Sequence, residues 1–317
     1  MTDRTGYNSA FVHALQRLNP AQKEAVEHID GPVLVIAGPG TGKTHILSAR
    51  IGRILLDTDT QPNNILCLTF TDAGVQAMRQ RLLQWIGPEA HRVHIFTFHA
   101  FCNHIIQNNL ELFGRRELEP VSELEQIEII QQIIDELPYQ HPLKRGRTGD
   151  PYFYVSHLKD LFQKIKSENW PLDYFSRQIE AYIDDLPNRR EFVYQVNRGK
   201  IKKGELKRKV YEEAVDRMEK LTAAAGLFPR YEALLQQTGR YDYHDMIRWV
   251  LDAFEQHEYL LRNYQEKYLY FLVDEYQDTN GAQNAIIHKL IDYWDRPNIF
   301  IVGDDDQSIY EFQGARL

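Results

Sequence analysis

Ala37, Gly38, Pro39, Gly40, Thr41, Gly42, Lys43 and Thr44 follow directly on the apolar run VLVIA and open a helical stretch, the context a phosphate-binding P-loop requires. Glycines let backbone N–H groups curl around phosphate oxygens, and the helix N-terminus adds its positive end. Lys43 reaches the terminal phosphates and Thr44 offers its hydroxyl to magnesium. Ala37 stands where the strict pattern has Gly, but the strand before these residues and the helix after them leave little weight to an ordinary Gly-rich turn. A second cluster complements them. YLYFLVDEYQDTN is an apolar strand ending in Asp274 and Glu275. Beside a P-loop, Asp274 would bind the metal, and Glu275 would orient and deprotonate a hydrolytic water. The pair implies hydrolysis of the bound nucleotide and not storage; alone, Asp-Glu at a strand end is usually a polar turn. A third stretch, FIVGDDDQSIYEFQGA (300–315), empties an apolar strand into three carboxylates, then Gln307, Tyr310 and Phe312. A solvated turn accounts for the acids but not for the aromatics behind them.

These clusters need elements to hold them. VLVIA (33–37), ILCLTF (65–70), VHIFTF (93–98), YLYFLVD (268–274) and NIFIV (298–302) read as buried strands, and helical patterns follow nearly every one. Runs apolar on both faces that alternate with helices predict an α/β fold with a parallel sheet covered on both sides. Asp274 lies much too far along the chain from Lys43 for neighbouring strands of a compact nucleotide-binding fold, unless something is inserted between them. From about 111 to 238 the chain turns to long charged helices with no convincing strand. In VSELEQIEIIQQIIDEL, Ser122 and Glu125 form a capping box, and Leu124, Ile127, Ile130, Ile134 and Leu137 form one apolar face. KRGRTG (144–149) and NRGKIKKGELKRK (197–209) concentrate positive charge there; a solvated face and a contact with phosphate backbone have equal claim.

The bulk numbers set limits. With 317 residues, 43% of them hydrophobic and 26% charged, a sizeable core and about two domains are expected. No run is long and apolar enough to span a membrane, and the N-terminus lacks a secretory signal, so a cytoplasmic location is expected. Cys67 and Cys102 sit in apolar segments, as buried thiols do. A net charge of −8 argues mildly against indiscriminate nucleic-acid binding without excluding a local groove. HRVHIFTFHAFCNH invites a zinc reading, but His91, His94, His99 and Cys102 lack the repeated spacing of a structural zinc motif. No G-x-S-x-G elbow supports a hydrolase of that type.

In order along the chain, LNPAQKEAV (18–26), AGPGTGKT (37–44), LTFTDAGVQAM (68–78), TFHAFC (97–102), YDYHDMI (241–247), VDEYQDTN (273–280) and VGDDDQSIYEFQGA (302–315) resemble the motifs of UvrD/Rep/PcrA-type superfamily 1 DNA helicases. The resemblance implies a RecA-like ATP-binding domain in two segments, 1–110 and 239–317, interrupted by an all-helical insertion domain, 111–238. It implies ATP and Mg2+ as cofactors, with single-stranded DNA and its junction with duplex as partner. Gln22 would bond the adenine edge. Thr69, Phe70 and His99 would touch the single strand, Gln307 would sense the terminal phosphate, and Tyr310 and Phe312 would stack on bases. Stacking suits a motor, because every base presents a π face. The loop from 304 would then join two sites.

The chain departs from the family's pattern at Asp72-Ala73-Gly74, where Asn-Lys-Ala is usual, and at His45, Glu311 and Gln313, where basic residues are common. The resemblance also implies a second RecA-like domain supplying arginines to the ATP site, so the 317 residues are expected to be the N-terminal portion of a longer helicase, monomeric and weak or inactive alone. The parent activity would be ATP-driven movement on single-stranded DNA, 3′ to 5′ by family, in repair or replication. A non-motor, nucleotide-switched DNA-binding module, or the front part of a helicase-nuclease, is the alternative.

Overall fold

The computed structural model describes residues 9–38, 40–114, 118–144, 149–197, 199 and 202–304. Pro39, Gln307, Tyr310 and Phe312, and parts of both basic stretches, lie outside the described residues. In chain order the first elements are α1 (Ser9–Gln16), α2 (Pro20–Glu27), β1 (Val33–Ile36), α3 (Lys43–Asp57), β2 (Ile65–Thr69), α4 (Asp72–Ile86), β3 (His94–Thr97), α5 (Phe98–Asn108) and α6 (Leu110–Phe113). There follow β4 (Glu119–Pro120), α7 (Glu123–Glu136), α8 (Val155–Ser167), α9 (Leu172–Asp185), α10 (Arg208–Ala225), α11 (Phe228–Gln237) and β5 (Arg240–Tyr241). Then come α12 (Tyr243–Gln256), α13 (Glu258–Lys267), β6 (Tyr270–Val273), α14 (Gly281–Ile291) and β7 (Ile299–Gly303). Residues divide into two compact units, Met1–Arg116 with Tyr243–Leu317, and Glu117–Asp242.

The first unit is built on a five-stranded sheet in the order β1-β7-β6-β2-β3, with every pairing parallel. All five apolar runs predicted as strands are in it. One face buries Cys67, Ile95, Leu272 and Phe300 against Ile46, Leu47 and Ile51 of α3 and Met78 and Leu82 of α4. On the other, Ile287 and Leu290 of α14 gather with Leu66, Leu68, Phe271 and Val273. Helices on both faces explain why β2 and β6 are apolar throughout, whereas on β1, at the sheet edge, Leu34 and Ile36 are exposed. Arg50 of α3 is buried beneath this layer, donating to the carbonyls of Ala25 (2.7 Å) and Ile29 (3.0 Å) with its guanidinium over the Phe300 ring. It ties the end of α2 to the sheet. Burial lowers its pKa to about 10. Cys67 and Cys102 are free and buried, and burial raises both thiols.

The second unit is mainly helical. Ser122 caps α7 and Glu125 closes the capping box, as its sequence predicts. The buried stripe of α7 differs from the expected one: Ile129, Ile130, Ile133 and Ile134 are buried, Ile127 and Leu137 pack at its margin, and Leu124 is exposed. Apolar residues cover more than one face of this helix, so periodicity alone could not choose the face that α8 and α11 bury. The expectation of no strand between 111 and 238 is corrected as well. Glu119–Pro120 pairs in parallel with Arg240–Tyr241, and Val193 bridges Leu206. Arg240 is held by Glu119 and by Glu125. Below this sits a buried ion pair, Lys166 Nζ to Asp242 Oδ2 at 2.8 Å, with the ammonium over the Tyr231 ring.

Candidate functional site

Parallel pairing puts the C-terminal tips of all five strands on one edge of the sheet, where α/β proteins place their ligands. The tips of β1, β7 and β6 lead to the loop at 37–42, to Asp304 and to Asp274. Those of β2 and β3 lead to Phe70 and to His99.

The first loop is shaped for an anion. Gly40 (φ +71°) and Gly42 (φ +87°) take left-handed backbone, Gly42 as the N-cap of α3, so Lys43 begins the helix with its amide end toward the loop. Apart from their chain neighbours, no heavy atom among the described residues comes within 4 Å of a Cβ position at Gly38 or Gly40. Ala37 donates its amide to the Gly303 carbonyl (2.9 Å), and Thr41 its hydroxyl to the Gly38 carbonyl (2.7 Å). Gln22 reaches the same loop, donating Nε2 to the Thr41 carbonyl at 3.0 Å. Its Oε1 accepts from the Asn19 amide, closing the capping box of α2. That box was legible in Asn19-Pro-Ala-Gln22 and was missed.

Lys43 and Thr44 meet the tip of β6. Lys43 Nζ lies 3.0 Å from Glu275 Oε2. The Thr44 hydroxyl points at Asp274 Oδ2 across 3.4 Å, linking positions 230 residues apart. That distance is long for an O–H···O bond. Asp274 is 2% exposed, and its pKa is raised to about 6, first by burial and then by the Glu275 charge; the Glu275 amide, Lys43 and Thr44 oppose the rise. A buried carboxylate so disfavoured, facing a hydroxyl oxygen, fits a hard divalent cation such as Mg2+. Glu275 itself sits in left-handed backbone (φ +50°, ψ +48°), uncommon for a residue with a side chain and characteristic of sites that over-determine their geometry.

The rest of this segment is structural support that sequence reasoning passed over. Gln277, buried, donates Nε2 to Glu275 Oε2 (2.8 Å) and accepts from the Asp304 amide at Oε1 (3.0 Å). Thr279 bonds the Tyr276 carbonyl, and Asn280 caps α14 in a second Asn/Gln box with Gln283.

At the other end of the edge, Phe70 and His99 are half-buried, and the His99 ring stands edge-on to Tyr243 at 6.0 Å. Thr69 is turned inside at 2% exposure, presenting little side chain to a ligand. Gly74 explains why: a Cβ there would come 2.8 Å from Thr69 Oγ1. Gln307, Tyr310 and Phe312 are outside the described residues.

A family model described as the UvrD/REP helicase N-terminal domain matches residues 18–317. The chain belongs to this family. Among UvrD/REP relatives, it is 29% identical over 305 residues to the ATP-dependent DNA helicase PcrA of Bacillus subtilis (strain 168), covering 96% of this chain and 35% of that protein. It is 30% identical over 304 residues to PcrA of Staphylococcus aureus (strain Mu50 / ATCC 700699) and 32% over 305 to that of Staphylococcus epidermidis, with the same coverage, 96% and 35%. The chain thus spans about a third of the length of the curated relatives it matches. Among the described residues no helix is long and apolar enough to cross a membrane.

Proposed function

We propose that this UvrD/REP chain is the ATP-binding portion of a DNA-dependent ATPase that moves on single-stranded DNA and opens duplex at the junction. The triphosphate lies along residues 37–44, with Gln22 at the adenine. Lys43 gives up Glu275 for the terminal phosphates, whose charge its ammonium neutralises. Mg2+, held by Thr44 and Asp274, supplies Lewis-acid stabilisation of the phosphate oxygens when bound. Glu275, released from Lys43, takes the proton of the water that attacks the γ-phosphorus as the bond to the β-phosphate oxygen breaks. Phe70 and His99 at the tips of β2 and β3 contact the strand, Tyr310 and Phe312 stack on its bases, and Gln307 senses the terminal phosphate. The helical unit at 117–242 is the family's insertion domain, and a second RecA-like domain completes the ATP site in a monomer that acts in the cytoplasm, in repair or replication, moving 3′ to 5′.

The observation that carries this reading is the meeting of Lys43 with Glu275 at 3.0 Å beside Thr44 and Asp274. Its test is ATP hydrolysis by the full-length protein with and without single-stranded DNA. Turnover that requires divalent cation and rises with DNA supports the reading; nucleotide binding with no turnover in either condition refutes it.

A further inference from the structure

We infer that Gln277 is the positioning residue through which the segment leaving β7 controls Glu275. The inference rests on the ATPase reading above and adds a coupling element to it. The Gln277 amide bridges two strand tips: Nε2 donates to Glu275 Oε2 at 2.8 Å, and Oε1 accepts from the Asp304 amide at 3.0 Å. Its orientation is dictated by chemistry, since a backbone N–H can only donate and a carboxylate can only accept. The oxygen that Gln277 holds is the one Lys43 pairs with at 3.0 Å. Glu275 is therefore restrained from two sides, by a group that leaves it when phosphate arrives and by one that answers to the tip of β7.

The bridge is built into the fold. Gln277 is 7% exposed, and Gly303, the last residue of β7, lets it approach: a Cβ there would stand 3.1 Å from Gln277 Oε1. Asp304 is the first residue past β7, so the amide that Gln277 accepts lies where the chain leaves the strand toward Gln307, Tyr310 and Phe312. A neutral side chain of this length suits both ends. Glutamate would set a carboxylate against Glu275, and asparagine is shorter by a methylene. A base engaged on the DNA side would thereby free or aim the carboxylate at the nucleotide.

A merely structural Gln277 would affect stability and leave the response to DNA alone. The test is ATP turnover by full-length Gln277→Leu and Gln277→Glu, with and without oligo(dT), alongside Mg-ATP affinity from a fluorescent analogue. Leu removes both arms; Glu keeps the acceptor for Asp304 and loses the donor to Glu275. The expected result is a fall of at least about fivefold in the ratio of DNA-stimulated to DNA-free turnover in both variants, with nucleotide affinity retained. A wild-type ratio in either folded variant overturns the inference while the ATPase reading stands. Unsubstituted protein that shows no DNA stimulation overturns the reading and the inference with it. Should Gln277→Leu fail to fold, Gln277→Glu and Gly303→Ala, whose methyl presses on Gln277 Oε1, decide the matter on the same ratio.

Discussion

The ammonium of Lys43 and the carboxylate of Glu275 stand 3.0 Å apart at the start of α3 and just past the end of β6. In the proposed ATPase Lys43 turns to the terminal phosphates, so the pair parts for catalysis. Lys43→Ala should therefore abolish DNA-stimulated ATP turnover, by at least about 10²-fold, through loss of a cation at the developing charge. Turnover that persists in this variant would place the catalytic centre elsewhere.

Phe70 follows β2 at the same sheet edge and is half-buried. As the proposed stacking platform it would contribute to single-strand affinity without reading sequence. Phe70→Ala should weaken oligo(dT) binding by roughly 1–3 kcal/mol and leave the salt dependence unchanged, since no phosphate contact is lost. Fluorescence anisotropy at two salt concentrations measures both, and unaltered affinity would remove Phe70 from the DNA path.

The Lys166–Asp242 pair, 2.8 Å long and buried, stabilises the helical unit only while both charges remain. Lys166→Met strips the Asp242 carboxylate of this partner and should destabilise the unit by about 3–5 kcal/mol in urea unfolding. Lys166→Met with Asp242→Leu should recover most of that loss. A double variant as unstable as the single one would show that packing, and not charge, is what Lys166 supplies.

His94 gives stability a pH dependence. Its Nδ1 lies 2.7 Å from the Tyr268 hydroxyl, and burial first, then the charges of Lys267, His104 and Arg79, lower its pKa from 6.5 to about 4. With the folded value depressed, the unfolded chain binds the extra proton between these limits. The contribution is fully present above pH 6.5 and is lost as pH falls toward 4, amounting to about 1–2 kcal/mol once partial exposure is discounted. His94→Phe should lose less stability between pH 7.5 and 5 than the parent does; equal losses would assign the dependence to other groups.

The strands were legible because each is a short run of apolar residues, and the candidate site at 37–44 and 274–275 because the phosphate and metal chemistry proposed for it restricts side-chain type. What escaped the sequence depends on tertiary partners. Nothing local says that Leu124 of α7 faces solvent while Ile129 and Ile133 face the core. Glu119–Pro120 and Arg240–Tyr241 are too short to carry strand periodicity, and pair because the chain brings them together. Thr69 reads as a strand-end hydroxyl until the close approach of Gly74 encloses it. Gln277 looks like any polar residue of a turn until the amide of Asp304 is found beside it.

Single-turnover cleavage of prebound ATP by full-length Glu275→Gln tests most directly whether a triphosphate held before Lys43 shares its water with Glu275. Glutamine keeps the shape, cannot take a proton, and releases Lys43 from its ion pair. Mg-ATP should bind at least as tightly as to the parent while cleavage slows by at least about 10²-fold. Cleavage at the parent's rate, with ATP bound, would contradict it.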